Sequence, residues 1–463
     1  MALTKLEILG LRGFGTKQGI HFACPNGSPG SGLTVIVGAN NSGKSTIVEA
    51  LRALTQPSQS PSFTQGRRNL KAGDQISLLL KDSDGGVTEL RSVRPGTSET
   101  QSILHSQHVN MTNILVLPSR RTFSPYFSRS ETNRQAFMTQ MGFPPIRTSS
   151  VEPFSYRLFS AFKRREEFNQ VLAKVLDPVP TWSIDQHDTG QYFLKFTVGD
   201  AAHSSEGLGE GLVSLFFIVD ALYDSTEGNT IVIDEPELSL HPTFQRKLAK
   251  LLTEYAATRQ IILATHSPYF VNLAALENGA TVARTHLSNG QSQISQLNDP
   301  TAKAIASLLT DVNNPHVFGL NAQEVFFLED QVILVEGQDD VIFYQRIADN
   351  LNLPLLGNFF GWGVGGADKM KLIAQVLADL GFKAVVGILD RNKAGLIPSL
   401  QAAFPDFRFF SIPSDDVRTK KASKGRPVVE GLLDDTNTNV RPEHVPATQR
   451  LFQQVNEFLK DKS

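Results

Sequence analysis

The spacing of apolar positions changes several times along this chain, and each change marks an element. Residues 33–37, LTVIV, form the near-continuous run of a strand buried on both faces, and helical spacing follows a glycine-rich loop. Residues 1–55 therefore read strand, loop, strand, glycine-rich loop, helix. Residues 56–110 are rich in Ser, Gln and Gly and hold short alternating stretches such as QISLLLKD, which predict hairpins and exposed loops. From about 124 to 175 the pattern turns polar and helical, and RLFSAFKRREEFNQVLAKVL brings Leu158, Phe162, Phe168, Leu172 and Val175 near one face as a core stripe. After YFLKFTVGD come a helix at 207–223, the strand TIVIDE, a helix from about 242 to 257 and the strand QIILATH. Strands alternating with helices predict a parallel α/β sheet. The pattern breaks near 315–330, and QVILVEG opens a second α/β unit, so the expected domains are 1–325, with a helical insertion at about 124–175, and 326–463. The stretch after 434 is polar and predicts a loosely attached C-terminal helix.

Composition narrows the class. A chain of 463 residues is too long for one ordinary core. With 40% hydrophobic and 19% charged residues it has the composition of a soluble globular protein. No window approaches about 18 uninterrupted apolar residues, and MALTKLEILGLRGFG runs straight into strand-like alternation, so the expectation is a cytoplasmic protein with no membrane contact. The single cysteine, Cys24, excludes an internal disulfide and a cysteine-based zinc site, and reads as filler near a strand end. A net charge of -2 gives no global pull toward nucleic acid, which leaves local patches: Arg67, Arg68 and Lys71; Arg120 and Arg121; Lys163 to Arg165; and RTKKASKGR at 418–426.

Chemistry enters with GANNSGKS at 38–45, which satisfies G-x-x-x-x-G-K-[ST] after a buried strand and at the opening of a helix. Gly38, Asn40, Asn41, Ser42, Gly43 and Thr46 form the loop and helix start whose backbone N–H groups make an anion nest. Lys44 reaches the β- and γ-phosphates of ATP, and the Ser45 hydroxyl meets Mg²⁺. TIVIDEPE at 230–237 is an apolar strand ending in acids, with Asp234 placed to hold Mg²⁺ through water and Glu235 to orient or deprotonate the attacking water. IILATHSP at 261–268 delivers His266 to the same sheet edge, where an imidazole can sense the γ-phosphate. These residues resemble ABC-type ATPases of the SMC and RecF kind, and DEPELSLHP with ATHSP is most similar to the OLD family, which joins such an ATPase to a TOPRIM domain. The resemblance implies an ABC/SMC-type P-loop domain that closes as a homodimer or higher homo-oligomer, each nucleotide covered by a signature loop from a second copy. Here LGEGLVSLFF stands at that spacing, with Gly209 in the serine position and Glu210 beside it. It also implies an arginine near nucleotide, which Arg12 of GLRGFG matches.

In VILVEGQDD at 332–340 an apolar strand ends in Glu336, and AVVGILD ends in Asp390. Two parallel strands whose carboxyl ends carry acids point them into one crevice. The pattern resembles a TOPRIM fold, a smaller Rossmann-like domain, in which Asp340 is the acid four positions after the glutamate and Asp390 opens the Asp-x-Asp pair. Asn392 stands where the second aspartate belongs; its carbonyl coordinates oxygen-seeking metals but adds no charge, so Mg²⁺ or Mn²⁺ should bind more weakly here. The OLD resemblance extends to DDVRTKKASKGRPVVEGLLDD, where Lys424, with Lys420 and Lys421 as rivals, would stabilise transition-state charge and Glu430 would be a late metal ligand. GWGVGGADKMK at 361–371 offers glycines for close backbone approach and Lys369 and Lys371 for phosphate. Two functions follow as expectations. One is an ATP-dependent, metal-dependent DNA endonuclease of the OLD type, in phage defence or DNA processing. The other is an ATP-dependent sensor or scaffold that binds DNA or a separate defence-system partner through a degenerate acidic site. Topoisomerase chemistry lacks a recognisable tyrosine setting among the seven tyrosines.

Overall fold

The continuous apolar runs do meet in a parallel sheet. In the computed structural model, which describes residues 2–55, 60–105, 107–140, 154–198, 201–204, 209–309, 320–327, 330–421 and 428–462, a six-stranded sheet has the order Gln291–Gln296, Thr281–Ser288, Leu33–Val37, Gln260–Ala264, Thr230–Asp234, Ile114–Leu117. The four pairings from Thr281–Ser288 to Ile114–Leu117 are parallel. Leu33–Val37, Thr230–Asp234 and Gln260–Ala264 are buried at every position, as strands covered on both faces require. The edge strand Ile114–Leu117 is not anticipated by the sequence pattern: four apolar residues between loops carry no period of their own.

The predicted hairpins form a five-stranded antiparallel sheet, Gln18–His21, Leu3–Leu9, Ser77–Asp82, Val87–Ser92, Thr100–Leu104. Its alternating Leu6, Ile8, Leu78, Leu80 and Leu90 share one core with Ile47 and Leu51 of the helix Lys44–Leu54 that follows the phosphate loop. Each such side chain contributes about 1.5–3 kcal/mol by leaving water, so the loop's helix is anchored by the second sheet as well as the first.

The helical insertion comprises Arg134–Gln140, Phe154–Lys163 and Arg165–Leu172, followed by a three-stranded antiparallel sheet of Thr181–Gln186, Tyr192–Val198 and Ala201–Ser204. Leu158, Phe168, Leu172 and Val175 are buried as the stripe predicted, and Phe162 is half-buried, edge-on to Trp182 at 5.7 Å. Buried Arg157 joins this layer to the helix Glu210–Tyr223 through Asp220 at 2.9 Å and to the following Asp224 at 2.7 Å.

The chain divides into two compact units, Met1–Ile294 and Ser295–Ser463. The second is built on a four-stranded all-parallel sheet, Asn358–Phe359, Val332–Leu334, Val385–Leu389, Arg408–Ser411. The C-terminal helix Val445–Asp461 is not loosely attached. Leu451, Phe452, Val455 and Leu459 are buried in the unit's main apolar cluster, an i, i+4, i+8 stripe that the polar average conceals. Cys24 is exposed and fills no core position. Among the described residues no helix is long and apolar enough to cross a membrane.

Candidate functional site

The phosphate loop is shaped by its surroundings. Gly43 caps the helix at φ 118°, and a Cβ there would stand 2.9 Å from the Ser292 hydroxyl and 3.1 Å from the Phe14 ring, so only glycine fits. Gly38 (φ 140°) and Asn41 (φ 61°) also take left-handed or open backbone. Asn40 lies between them in the loop, and the buried Thr46 belongs to the helix. The Ser42 hydroxyl lies 2.6 Å from that of Thr285, tying the loop to the neighbouring strand. Lys44 Nζ donates to the Gly38 carbonyl at 2.7 Å and the Ala39 carbonyl at 2.8 Å, so the ammonium lies across the loop that phosphates would fill. Ser45 Oγ donates to Asp234 Oδ1 at 3.2 Å, which brings the two expected magnesium groups together.

Next to Asp234, Glu235 has φ 50°, uncommon for a residue with a side chain, and its N–H donates to the Ala264 carbonyl at 2.7 Å. The sequence pattern does not single out Glu237, whose carboxylate accepts from the His266 N–H at 2.6 Å and the Thr265 hydroxyl at 2.7 Å. Burial holds that carboxyl above its ordinary range. It straps the strand end carrying the exposed His266 to the acidic turn.

Arg121 departs from its expected place in a basic surface patch. Its guanidinium is buried, and burial pulls it down to about 10. It donates to the carbonyls of Pro118 (2.8 Å), Asp234 (2.7 Å) and Glu235 (2.8 Å) and to Ser214 Oγ (2.8 Å) on the helix Glu210–Tyr223. Arg121 therefore fixes the strained backbone at Glu235. Arg121→Ala would leave these acceptors unpaired, each at about 1–3 kcal/mol. The expected result is a loss of at least about 4 kcal/mol and a melting temperature of the first unit lower by at least roughly 8 °C, read by calorimetry. A variant melting within a degree of the parent would show that the clamp carries no stability. Other members of the basic patches are also engaged: Arg68 pairs with Asp74 at 2.9 Å, and Arg67 with Glu49 at 3.6 Å.

Arg12 lies against the nucleotide helix, its Nε 2.6 Å from Glu49 and its own φ at 49°. Gly209 caps the helix Glu210–Tyr223, is exposed, and has open space where a Cβ would be. Beside it, Glu210 accepts from the Ser239 hydroxyl at 3.0 Å, just past the acidic turn.

In the second unit, parallel register sets Leu334 opposite Gly387, so the ends of these strands bring Glu336 and Asp390 together. The Asp390 N–H donates to Glu336 Oε1 at 3.0 Å, and Asp340, in the first turn of the helix Gln338–Asn350, accepts from the Gly337 N–H at 2.8 Å. Burial first, then the charges of Asp340, Glu336 and Asp416, push the Asp390 carboxyl up to about 8, while Lys420 opposes them. Asp340 rises to about 6, by burial and then its acidic neighbours. Tyr344 lies under the group, and its phenol is raised by burial and by the same four acids.

Asp416 is the member that sequence reasoning missed, although its signal was there: FRFFSIPSDD is another strand running into acids. Of the rival lysines, Lys420 pairs with Asp416 and bears on Asp390; Lys424 lies outside the described residues. Glu430 is exposed, next to Val429, which bridges Lys420. Asn392 donates its amide N–H to the Asp415 carbonyl at 2.8 Å. Among the described residues no three acidic or histidine side chains already ring a metal position. The donor set nevertheless suits a hard divalent cation: oxygen ligands only, with more negative charge than Lys420 offsets.

Known proteins match parts of this chain. A family model described as an AAA domain matches residues 5–123, and one described as an AAA domain, putative AbiEii toxin, Type IV TA system, matches residues 146–272. An OLD nuclease from Thermus scotoductus is 24% identical over 397 residues, covering 69% of this chain and 70% of that protein. The Septu protein PtuA of Bacillus thuringiensis is 24% identical over 288 residues, covering 53% of this chain and 68% of that one. Among solved structures, the SMC head domain from Thermotoga maritima (17% identity, TM-score 0.39, 64% of this chain and 100% of that one) is a loose likeness. So is a Pyrococcus furiosus Smc head bound to the C-terminal domain of ScpA (14%, 0.44, 67% and 99%). The phosphate loop and the elements around it thus match models described as AAA domains, in a chain distantly similar to an OLD nuclease and to a Septu protein PtuA.

Proposed function

We propose that this chain is an ATP-hydrolysing, metal-dependent DNA endonuclease of the OLD type, its second unit a TOPRIM domain, serving phage defence or DNA processing. The observation that carries the reading is the convergence of Glu336, Asp340, Asp390 and Asp416 at the carboxyl edge of a parallel sheet, with Asp390 pushed up to about 8 by burial and then by its acidic neighbours. In the first unit Lys44 and the loop amides bind the β- and γ-phosphates, Ser45 and Asp234 would hold the Mg²⁺ of ATP, and Glu235 takes the proton of the attacking water. A second copy of the chain, contributing the helix start at Gly209, completes the nucleotide site. In the second unit Glu336, Asp340, Asp390 and Asp416 would hold Mg²⁺ or Mn²⁺. The bound ion would supply an activated water and a counter-charge for the leaving oxygen. Lys420 places its ammonium beside the carboxylates, where negative charge grows during hydrolysis.

The second reading, an ATP-dependent DNA sensor or scaffold acting through a separate effector, is favoured by the uncharged Asn392 in the place of the second aspartate, its amide engaged with the Asp415 carbonyl. A plasmid-nicking assay in Mg²⁺ and in Mn²⁺, with and without ATP, separates the two. The endonuclease reading predicts metal-dependent cleavage that Asp390→Ala lowers at least about 100-fold with ATP binding intact, and that Asn392→Asp leaves equal or greater. No metal-dependent cleavage by the unmodified protein in any lane would leave the sensor reading standing.

A further inference from the structure

The loop GWGVGGADK at 361–369 is laid directly on the strand end that carries Glu336. The Val364 N–H donates to the Val335 carbonyl at 2.8 Å, and those of Gly365 and Gly366 to the Glu336 carbonyl at 3.0 and 2.8 Å. Gly363, at φ 90°, passes so close that a Cβ would lie 2.6 Å from the Cα of Gly337. This loop is rigid and shaped, and it displays one large side chain. Phe360 and Val364 are 2% and 0% exposed, whereas Trp362 between them is 43% exposed. Among the described residues its indole has no ring partner and no hydrogen bond. An indole is ordinarily buried or given a partner for its N–H. Just past the loop, Lys369 at the start of the helix Met370–Asp379 and Lys371 within it take part in no ion pair among the described residues. An unpartnered aromatic face on a loop touching the acidic centre, followed by unpaired ammonium groups at the start of the next helix, is the pairing that single-stranded nucleic acid uses, bases stacking while phosphates are neutralised.

We propose that Trp362 is a stacking platform for one unpaired nucleobase of the strand whose phosphodiester lies at the carboxylates, and that Lys369 and Lys371 receive neighbouring phosphates. The substrate is then single-stranded or locally opened DNA, because bases within a duplex offer no free face. This deepens the endonuclease reading and rests on a phosphodiester lying at the acidic centre.

The chain's two tryptophans make a clean readout, since Trp182 is 1% exposed and its Nε1 donates to Asn169 at 2.8 Å. Tryptophan emission is titrated with a thymidine dodecamer, with an abasic oligomer of the same phosphate count, and with a blunt hairpin duplex. The dodecamer should quench strongly and the other two weakly. By fluorescence anisotropy of an end-labelled dodecamer, which does not need the indole, Trp362→Ala should bind about 10-fold or more weakly, with Trp362→Phe within about threefold of the parent. Equal quenching by the abasic oligomer, or equal binding by Trp362→Ala with its melting temperature unchanged, would overturn stacking. The nicking assay keeps the two ideas apart. Cleavage dependent on Asp390 alongside unaltered Trp362→Ala binding sinks stacking alone. Base-dependent quenching without any cleavage supports stacking on a binding surface and sinks the nuclease.

Discussion

Asp390→Asn is expected to melt at a higher temperature than the parent in metal-free buffer at pH 8.5, while losing metal-dependent cleavage. The folded protein holds the Asp390 proton up to about 8, because burial and the charges of Asp340, Glu336 and Asp416 disfavour the ion, whereas an ordinary aspartate releases it near 3.8. Between these values folding takes up a proton. The stability tied to it is complete below about pH 4 and is lost as pH rises toward 8. Asparagine never ionises, so the gap between variant and parent should open with pH and level off above about 8, reaching at least about 3 °C for a unit of this size. A divalent cation reverses the order. Binding must displace the Asp390 proton, so Mn²⁺ should tighten with pH and raise the parent's melting temperature more at pH 8.5 than at pH 6, and the variant's hardly at either. Scanning calorimetry with chelator and with Mn²⁺ at both pH values measures all four differences. If the variant melts below the parent at pH 8.5 in chelator, the carboxylates do not repel one another as described.

That repulsion was half legible in the sequence. Glu336 and Asp390 each end an apolar strand, and a parallel sheet necessarily sets such ends side by side, so their convergence follows from local patterns and one topological rule. The phosphate loop, Asp234 and His266 were legible for the same reason. Asp416 follows its strand, Arg408–Ser411, by several loop residues, and proximity to Asp390 depends on how that loop returns. Arg121 was harder still. Its sequence neighbourhood, a basic pair after a short apolar run, reads as a surface patch, and what buries it is Ser214 on a helix 93 residues away. Charge type is a local property of a sequence, whereas burial is not. For the same reason the polar C-terminal stretch hid a helix whose Leu451, Val455 and Leu459 complete a core.

In the first unit, the expected pair of results is that Lys44→Ala loses ATP binding and Glu235→Gln keeps binding but loses turnover. Lys44 now donates to the carbonyls of its own loop, at 2.7 and 2.8 Å, so its charge is held where the β- and γ-phosphates would replace those weaker acceptors. Removing one charge-assisted pair at about 1.5–3 kcal/mol should weaken ATP at least about 10-fold, read by calorimetric titration. Of the two glutamates in the acidic turn, Glu235 is the one we propose for proton transfer, directly after Asp234 at the strand end. Glu237 is occupied by the His266 N–H and the Thr265 hydroxyl, while Glu235 is half-exposed with its backbone fixed by Arg121. Glu235→Gln should therefore cut phosphate release about 10²- to 10⁴-fold, the usual contribution of a general base. Turnover within threefold of the parent would remove Glu235 from that role. The glutamine variant also holds ATP without consuming it. Assaying its plasmid nicking beside Lys44→Ala, which holds none, therefore separates the effect of bound nucleotide on the acidic site from the effect of hydrolysis.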